Sequence, residues 1–167
     1  MNDEPRIVER EAQAFAGIVG DVTMDTIPEI ADRLGEVFGR LTAQGMEPVA
    51  APFFKYELID MPRLRIVAGF PIAEPEAGLP ERDGDVFFDT LPAGRYVTVA
   101  HTGHPQELEA VTGELLAWAA ERGLSWDMTP TPEGERWGCR LEIYQTDPRV
   151  EPDMSKWTTD LAFRLES

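Results

Sequence analysis

The feature that most constrains this sequence is an internal repeat. Two segments with helical periodicity, 26–45 and 105–123, each follow a strand-like run that ends at a glycine. Each of them also precedes two further strand-like runs. The copies lie roughly eighty residues apart, which is typical of a supersecondary unit that occurs twice. The sequence therefore predicts an α+β fold made of two strand-helix-strand-strand units, each with a mostly antiparallel sheet covered by one helix.

The first helical segment carries clear start and stop signals. Thr26 and Glu29 have the spacing of a capping box, and Gly45 stands where a left-handed C-terminal residue is expected. The apolar stripe between them comprises Ile27, Ile30, Leu34, Val37, Phe38 and Leu41. This spacing predicts one amphipathic helix over the whole segment.

The second helical segment begins with Pro105 in its first turn and closes at Gly123. Its stripe comprises Leu108, Val111, Leu115, Trp118 and Ala119. We expect His104 to cap this helix, because His101 and His104 have no second cluster of ligands with which to bind a metal.

The remaining pattern defines the boundaries of the units. Strand-like runs at 48–58 and 64–72 follow the first helix, and runs at 137–146 and 157–165 follow the second. We expect one domain over 1–167, with module one at about 5–73, an exposed connector at about 74–85 that is rich in Pro, Gly and acid, and module two at about 86–167.

Charge and composition exclude several classes of protein. The chain has 31 Asp and Glu against 15 Lys and Arg, a net charge of −16, and 43% hydrophobic residues. A folded, strongly acidic surface disfavours direct binding to nucleic acid and attracts cationic small molecules. No apolar run approaches the ~20 residues that cross a bilayer, so we expect a soluble cytoplasmic protein without membrane contact.

No cofactor or metal site is indicated. Cys139 is the only cysteine, which excludes an intramolecular disulfide and a CxxC site, and we expect it to be inert packing. The phosphate-binding, dinucleotide-binding and nucleophile-elbow motifs are also missing.

Alternation along the strands separates two sets of side chains. In 137–143 we expect Trp137, Cys139, Leu141 and Ile143 on the helix-covered face, which places Arg140, Glu142 and Tyr144 on the other face. Tyr96 is likewise expected opposite the helix-covered Val97 and Val99, and Phe54 and Tyr56 share one face of their strand.

Glu142 admits two interpretations. It is either solvated or paired with Arg140, or it lies at the bottom of an aromatic cleft among Tyr56, Tyr96 and Tyr144. A carboxylate in apolar surroundings selects cationic ligands, and tyrosine rings add cation–π contacts. Trp137 and Trp157 open neighbouring strands, where they could wall a pocket mouth or cap the core.

Several segments resemble the GyrI-like family, which includes the effector-binding domains of AraC-type and MerR-type transcription regulators. They are LPAGRYVTVAHTGH at 91–104, LLAW at 115–118, LEIYQTDP at 141–148 and WTTDL at 157–161, with 52–56 and 66–72 matching the first half. His104-Pro105 departs from the H-x-G-P-Y pattern that is usual there. Since no helix-turn-helix segment precedes residue 1, we expect a stand-alone member.

The resemblance implies two modules related by a pseudo-twofold axis, whose antiparallel sheets flank a cleft for hydrophobic, often cationic, compounds. It implies that Glu142 is the buried glutamate of that cleft and that Tyr96 is among its aromatic residues. We therefore expect a multidrug-binding protein, monomeric or weakly dimeric, with no cofactor. The expected ligand-binding residues are Glu142, Tyr96, Tyr144, Tyr56, Phe54, Trp137 and Trp157.

Two alternatives remain open. Some relatives are hydrolases that open the cyclopropane rings of natural products, and in that case Glu142 would act as general base with Tyr96 as hydrogen-bond donor. The other alternative is a protein-interaction module, such as a gyrase protector, which rests mainly on the charge.

Overall fold

One curled antiparallel sheet carries both halves of the repeat. The computed structural model describes residues 3–166, and ten strands of that range join in the sheet. The strands are β1 (Arg6–Arg10), β2 (Gln13–Thr23), β3 (Phe53–Asp60), β4 (Arg63–Pro71), β5 (Phe87–Leu91), β6 (Gly94–Thr102), β7 (Met128–Thr131), β8 (Gly134–Trp137), β9 (Arg140–Tyr144) and β10 (Thr158–Arg164). The helices are α1 (Ile27–Ala31), α2 (Leu34–Ala43) and α3 (Leu108–Glu121).

The order of the strands confirms the duplicated α+β fold. The path through the sheet is β1-β6-β10-β9-β3-β4-β2-β5, so the second half of the chain forms one side and the first half forms the other. The halves meet where β9 pairs with β3, with Phe54 opposite Glu142. The two expected sheets are therefore continuous, and this junction is the centre of the pseudo-twofold arrangement.

Each half donates an edge strand to the other. Strand β1 is the first strand of the first half but pairs with β6 of the second half. Strand β5 is the first strand of the second half but pairs with β2 of the first half. One strand of each half is therefore hydrogen-bonded to the other half, which joins the two repeats in one sheet.

The helices of both halves lie on the same face of the sheet. Val37 and Leu41 of α2 pack in one cluster with Ala68, and Leu115 of α3 packs in another with Leu161. Paired residues on neighbouring strands share a face. The register runs without interruption from Leu161 through Glu142 and Phe54 to Ala68. The central strands β3 and β9 therefore lie between the two helix-covered halves.

The opposite face has a core of its own. It contains Phe15, Phe53, Val67, Leu91, Tyr96, Cys139, Leu141, Ile143 and Ala162. Val8 of β1 packs against the same cluster that contains Leu91 of β5, so the two ends of the sheet approach each other by curling. The interior of the curl is filled with side chains.

The assignment of Cys139, Leu141 and Ile143 to the helix-covered face was therefore wrong. They lie in the core of the other face, and Arg140 and Glu142 lie on the helix side. Apolar alternation identifies the helix side only when the other face is solvated, and in this sheet both faces are buried. Cys139 is fully buried, as expected of packing, and burial raises the pKa of its thiol.

The first helical segment forms two helices instead of one, which end and begin on either side of Asp32 and Arg33. The expected Thr26 cap does not form, because its hydroxyl accepts a 2.7 Å hydrogen bond from the backbone N–H of Thr23. Arg33 at the break pairs with Glu36 and with Asp85 of the connector. Phe38, expected in the apolar stripe, is 51% exposed.

The second helical segment follows its prediction. His104 Nδ1 accepts from the N–H of Gln106 at 3.1 Å, and the Glu107 carboxylate accepts from the N–H of His104 at 2.8 Å. A short 3-10 turn, Pro105–Glu107, then leads into α3. The hairpin of β7 and β8 was not predicted, because its sequence at 127–134 has the composition of a turn. None of the helices described is long and apolar enough to cross a membrane.

Candidate functional site

Glu142 occupies the centre of the sheet on the side of the helices. It lies on β9 between Leu161 of β10 and Phe54 of β3, its direct partners in the two ladders. Both partners are buried, whereas Glu142 is only partly buried. The carboxylate therefore stands on the junction of the two halves, between two apolar neighbours.

Two tyrosines donate hydrogen bonds to the same oxygen of Glu142. The Tyr144 hydroxyl donates to Oε1 at 2.6 Å, and the Tyr56 hydroxyl donates to Oε1 at 3.1 Å. Among residues 3–166, no donor is bonded to Oε2. A carboxylate has room for about four acceptor sites, so this group keeps free acceptor capacity.

Burial dominates the titration of this cluster. Desolvation raises the pKa of Glu142, although the hydrogen bonds from Tyr144 and Tyr56 and the charge of Arg140 act in the opposite direction. Desolvation, reinforced by the Glu142 charge, also raises the pKa of both hydroxyls well above its usual range. The tyrosines therefore act as neutral donors, and the carboxylate is held in a less favourable state than in water.

An aromatic wall adjoins the carboxylate. The rings of Phe54 and Tyr144 meet edge to face, with centroids 5.1 Å apart. Tyr56, Tyr144 and Phe54 pack with the cluster beneath α1 and α2. Three of the predicted ligand-binding aromatics are thus brought to Glu142.

Arg140 lies on the same face, two residues before Glu142. Its guanidinium carbon is 4.7 Å from the ring centroid of Trp137 and 4.4 Å from that of Phe163. Within the described range it has no carboxylate within 4.0 Å, so the ion pair with Glu142 that the sequence left open does not form. Desolvation lowers the pKa of Arg140, opposed by the charge of Glu142.

Sequence reasoning considered Arg140 only as a partner for Glu142. The spacing of the strand could have identified Arg140 as a residue of the site, because residues 140 and 142 of one strand share a face. The cross-strand neighbour Phe163, on which the guanidinium rests, could be found only from the register.

Trp137 lies in the core, which is one of the two roles that the sequence left open. It is 5% exposed, and it packs against Trp126 and Phe163 with centroids 5.8 and 5.7 Å away. Trp157 is partly buried, and its indole N–H donates to the carbonyl of Glu151 at 2.7 Å, which anchors it in the loop before β10. The first tryptophan reaches the site only through Arg140.

Tyr96 lies on the opposite face of the sheet. It is 1% exposed within the core that contains Cys139 and Ala162, and its hydroxyl donates to the carbonyl of Pro92 at 2.6 Å. The structure therefore does not bring Tyr96 to Glu142. Strand alternation places Tyr96 opposite Val97, as predicted, but Glu142 lies on the side of Val97.

Tyr56, Tyr144 and Phe54 pack around Glu142. Surface pockets of about 500 and 300 Å³ lie elsewhere, one lined by Leu58, Arg63 and Pro132 and the other by Val99, Leu115 and Trp118. Among the described residues, no group of three His, Cys, Asp or Glu side chains is arranged to hold a metal ion. The chemistry of the site consists of a carboxylate, two hydroxyls, a guanidinium and aromatic rings.

Comparison with known structures shows where this fold occurs. The C-terminal domain of EcmrR superposes with a TM-score of 0.71 at 17% identity, covering 98% of each chain. The chain spans 57% of the EcmrR chain in its complex with DNA. SAV2435 bound to tetraphenylphosphonium gives a TM-score of 0.64 at 11% identity, covering 99% of this chain and 95% of that one. A hydrolase from Listeria innocua gives 0.64 at 15% identity, covering 98% and 92%.

At this level of identity, the likenesses establish the fold alone. A search of curated proteins gives no match in sequence. The model of the GyrI-like small molecule binding domain, however, matches residues 3–166. The chain belongs to the GyrI-like family of small-molecule-binding domains.

Proposed function

We propose that this protein binds hydrophobic, cationic aromatic compounds, with Glu142 as the residue that selects the positive charge. The observation that carries the proposal is the geometry of the carboxylate. Oε1 receives both tyrosine hydroxyls, and Oε2 has no donor within the described range. The free oxygen is the natural partner of a ligand cation.

The energetics favour a cation over a neutral compound. Desolvation already raises the pKa of Glu142, so the ionised form has lost water contacts that its two hydrogen bonds only partly replace. A ligand cation restores the missing interaction and is attracted more strongly than it would be in water. The Phe54 and Tyr144 rings add apolar area and cation–π attraction, about 0.5–2 kcal/mol for each favourable contact.

Tyr56 and Tyr144 flank the carboxylate, and both are partly buried. Oε2 of Glu142 is not among the fully buried side-chain oxygens without a partner in residues 3–166, so it keeps some exposure to solvent. Rotation of either ring would open the junction between the helix-covered halves while the other tyrosine keeps its hydrogen bond. The solved structure of SAV2435 with tetraphenylphosphonium supports the capacity of this fold to hold a bulky cation.

Titration with tetraphenylphosphonium by calorimetry tests the proposal. Glu142→Gln keeps the size of the side chain and removes its charge, and we expect it to weaken binding by about tenfold or more, since each 1.4 kcal/mol is a factor of ten. Glu109→Gln on the exposed side of α3 is the matched control, because it changes the net charge equally. Equal affinities for wild type and Glu142→Gln would exclude Glu142 as the selective group.

A hydrolase is a second candidate. Its supporting observation is a carboxyl group of raised pKa held beside two hydroxyl donors, which is the arrangement of a general base, together with likeness to a Listeria innocua hydrolase. Tyr56 or Tyr144 would be the donor, because the hydroxyl of Tyr96 is bonded to Pro92 on the other face. Incubation with a cyclopropane-bearing alkylating compound, followed by mass spectrometry, separates the two functions: ring-opened product that depends on Glu142 supports the hydrolase.

A further inference from the structure

The guanidinium of Arg140 lies on the same face of the sheet as Glu142. The two residues share a face of β9 with one residue between them, so their backbones lie about 6.5–7 Å apart. Arg140 rests on the rings of Trp137 and Phe163, which hold it on the side of the helices. The strand thus presents a cation and an anion at a fixed spacing.

The donors of Arg140 are unsatisfied by the described residues. The structure gives its guanidinium no hydrogen bond and no ion pair within residues 3–166. Glu135 acts on it electrostatically, but the Oε1 of Glu135 accepts from the Trp137 indole at 3.2 Å. By contrast, the partly buried Arg164 is bonded to Asp127 at 2.8 Å and to the carbonyl of Ala93 at 2.7 Å.

An unpaired guanidinium is unexpected in this chain. Carboxylates outnumber cations by 31 to 15, so a partner for Arg140 would be easy to supply from the sequence. The nitrogens of Arg140 are not among the fully buried side-chain atoms without a partner in residues 3–166, so they keep some contact with solvent. An acceptor on a ligand can therefore reach the guanidinium without first displacing a protein carboxylate.

We propose that the ligand is zwitterionic or strongly dipolar, with its positive group at Glu142 and an anionic or carbonyl acceptor at Arg140. This inference rests on the proposed function and narrows its class of ligand. A monocation in contact with Glu142 is attracted by the carboxylate, and Arg140, two residues along the strand, reduces that attraction without cancelling it. A compound that carries both groups gains from both residues, and its flat ring can lie across the strand between them.

A matched pair of small probes tests the inference. The zwitterion 4-(trimethylammonio)benzoate carries opposite charges at the two ends of one benzene ring, and its methyl ester is a monocation of nearly the same shape. We expect the wild type to bind the zwitterion about tenfold more tightly than the ester by calorimetry, a typical gain for one charge-assisted hydrogen bond. In Arg140→Met the preference is expected to disappear, with binding of the ester unchanged or improved.

Two further variants serve as controls for this experiment. Arg136→Met on β8 makes the same change of net charge at an exposed arginine and should keep the preference for the zwitterion. Arg140→Lys retains a cation but not the planar fork, and it should retain part of the preference even if Arg140→Met folds poorly. Circular dichroism of each variant establishes that it is folded.

The outcomes separate this inference from the proposed function. If the wild type binds both probes equally, or if Arg140→Met keeps the preference, the role of Arg140 is refuted. Loss of ester and tetraphenylphosphonium binding in Glu142→Gln would then still support the proposed function. If neither probe nor tetraphenylphosphonium binds the wild type, both proposals are refuted together.

Discussion

The Tyr144 hydroxyl lies 2.6 Å from Oε1 of Glu142. Glu142 precedes Tyr144 by two residues on the same strand. The second donor to that oxygen, Tyr56, comes from β3 in the other half of the repeat. The carboxylate therefore connects the two halves at the centre of the sheet, where β9 pairs with β3. A ligand group that binds Oε2 therefore contacts the residue at which β9 pairs with β3.

The stability of the protein should depend on the charge of Glu142. A carboxyl group whose pKa is raised by folding contributes stability below its unfolded pKa, and that contribution is lost as the pH rises through the folded value. A glutamine at position 142 does not ionise, so the stability of Glu142→Gln does not include this pH-dependent contribution. We therefore expect the free energy of unfolding of Glu142→Gln, relative to wild type, to increase between about pH 4, near the unfolded pKa of a glutamate, and pH 7, by up to about 1.4 kcal/mol for each unit by which folding raises the pKa.

Urea denaturation at the two pH values checks this expectation. The difference between the variant and the wild type isolates Glu142 from the other carboxylates, which titrate in both proteins. Glu109→Gln should show no such trend, because Glu109 is exposed. A difference between Glu142→Gln and wild type that is independent of pH would show that Glu142 titrates in the same way folded and unfolded.

Binding of a cation should show the opposite dependence on pH. Only ionised Glu142 attracts a positive ligand, and its raised pKa leaves part of it protonated at mildly acidic pH. The affinity for tetraphenylphosphonium is therefore expected to fall as the pH is lowered toward 5, with about one proton released on binding when Glu142 is protonated beforehand. Calorimetry in buffers of different ionisation enthalpy measures that proton. Affinity that stays constant with pH in wild type, as expected for Glu142→Gln, would contradict the role of the carboxylate.

Much of the fold could be predicted because the repeat is local. The capped second helix and the strands on both sides of the helices depend on short-range signals, such as His104 before Pro105 and Gly123 after α3. The break in the first helix lies at Asp32 and Arg33, where the apolar stripe continues without a local stop signal, and Arg33 pairs there with Asp85 far along the chain. The exchange of β1 and β5 between the halves is a matter of long-range pairing and had no local signal.

The site was predictable in part for the same reason. Glu142, Tyr144, Tyr56 and Phe54 were identified from strand spacing, and the structure brings them together. Tyr96 was placed with them because Tyr96 and Glu142 were both expected on the face of the sheet away from the helices. A second core on the inner face of the curl removes the solvated side on which that expectation depended.

The three tyrosines of the chain should separate into two classes. Tyr144→Phe and Tyr56→Phe each remove a donor from Oε1, so both should raise the pKa of Glu142 further and weaken the binding of cations. Tyr96→Phe loses its hydrogen bond to the carbonyl of Pro92 and its interaction with the Cys139 thiol, and it is expected to cost about 1 kcal/mol of stability with unchanged binding. Carbon-13 NMR of labelled glutamate side chains follows the titration of Glu142, and thermal denaturation follows stability. A weakening of binding by Tyr96→Phe comparable to that of Tyr144→Phe would contradict the separation of the two faces.

The entry to β9 should tolerate no side chain at Gly138. A Cβ there would overlap the Asp127 carboxylate, which pairs with Arg164 at 2.8 Å, and the N–H of Gly138 is bonded to the Asp127 carbonyl at 2.9 Å. We expect Gly138→Ala to lower the free energy of unfolding by about 1–3 kcal/mol, because an added methyl group in a tight contact forces its neighbours apart. Gly113→Ala on the exposed side of α3 meets no atom within 4 Å and should raise stability by about 0.5–1 kcal/mol through helix propensity. Urea denaturation of the pair tests both signs, and a neutral Gly138→Ala would mean that Asp127 and Arg164 can separate without loss of stability, so that the ion pair does not hold the strand that carries Arg140 and Glu142.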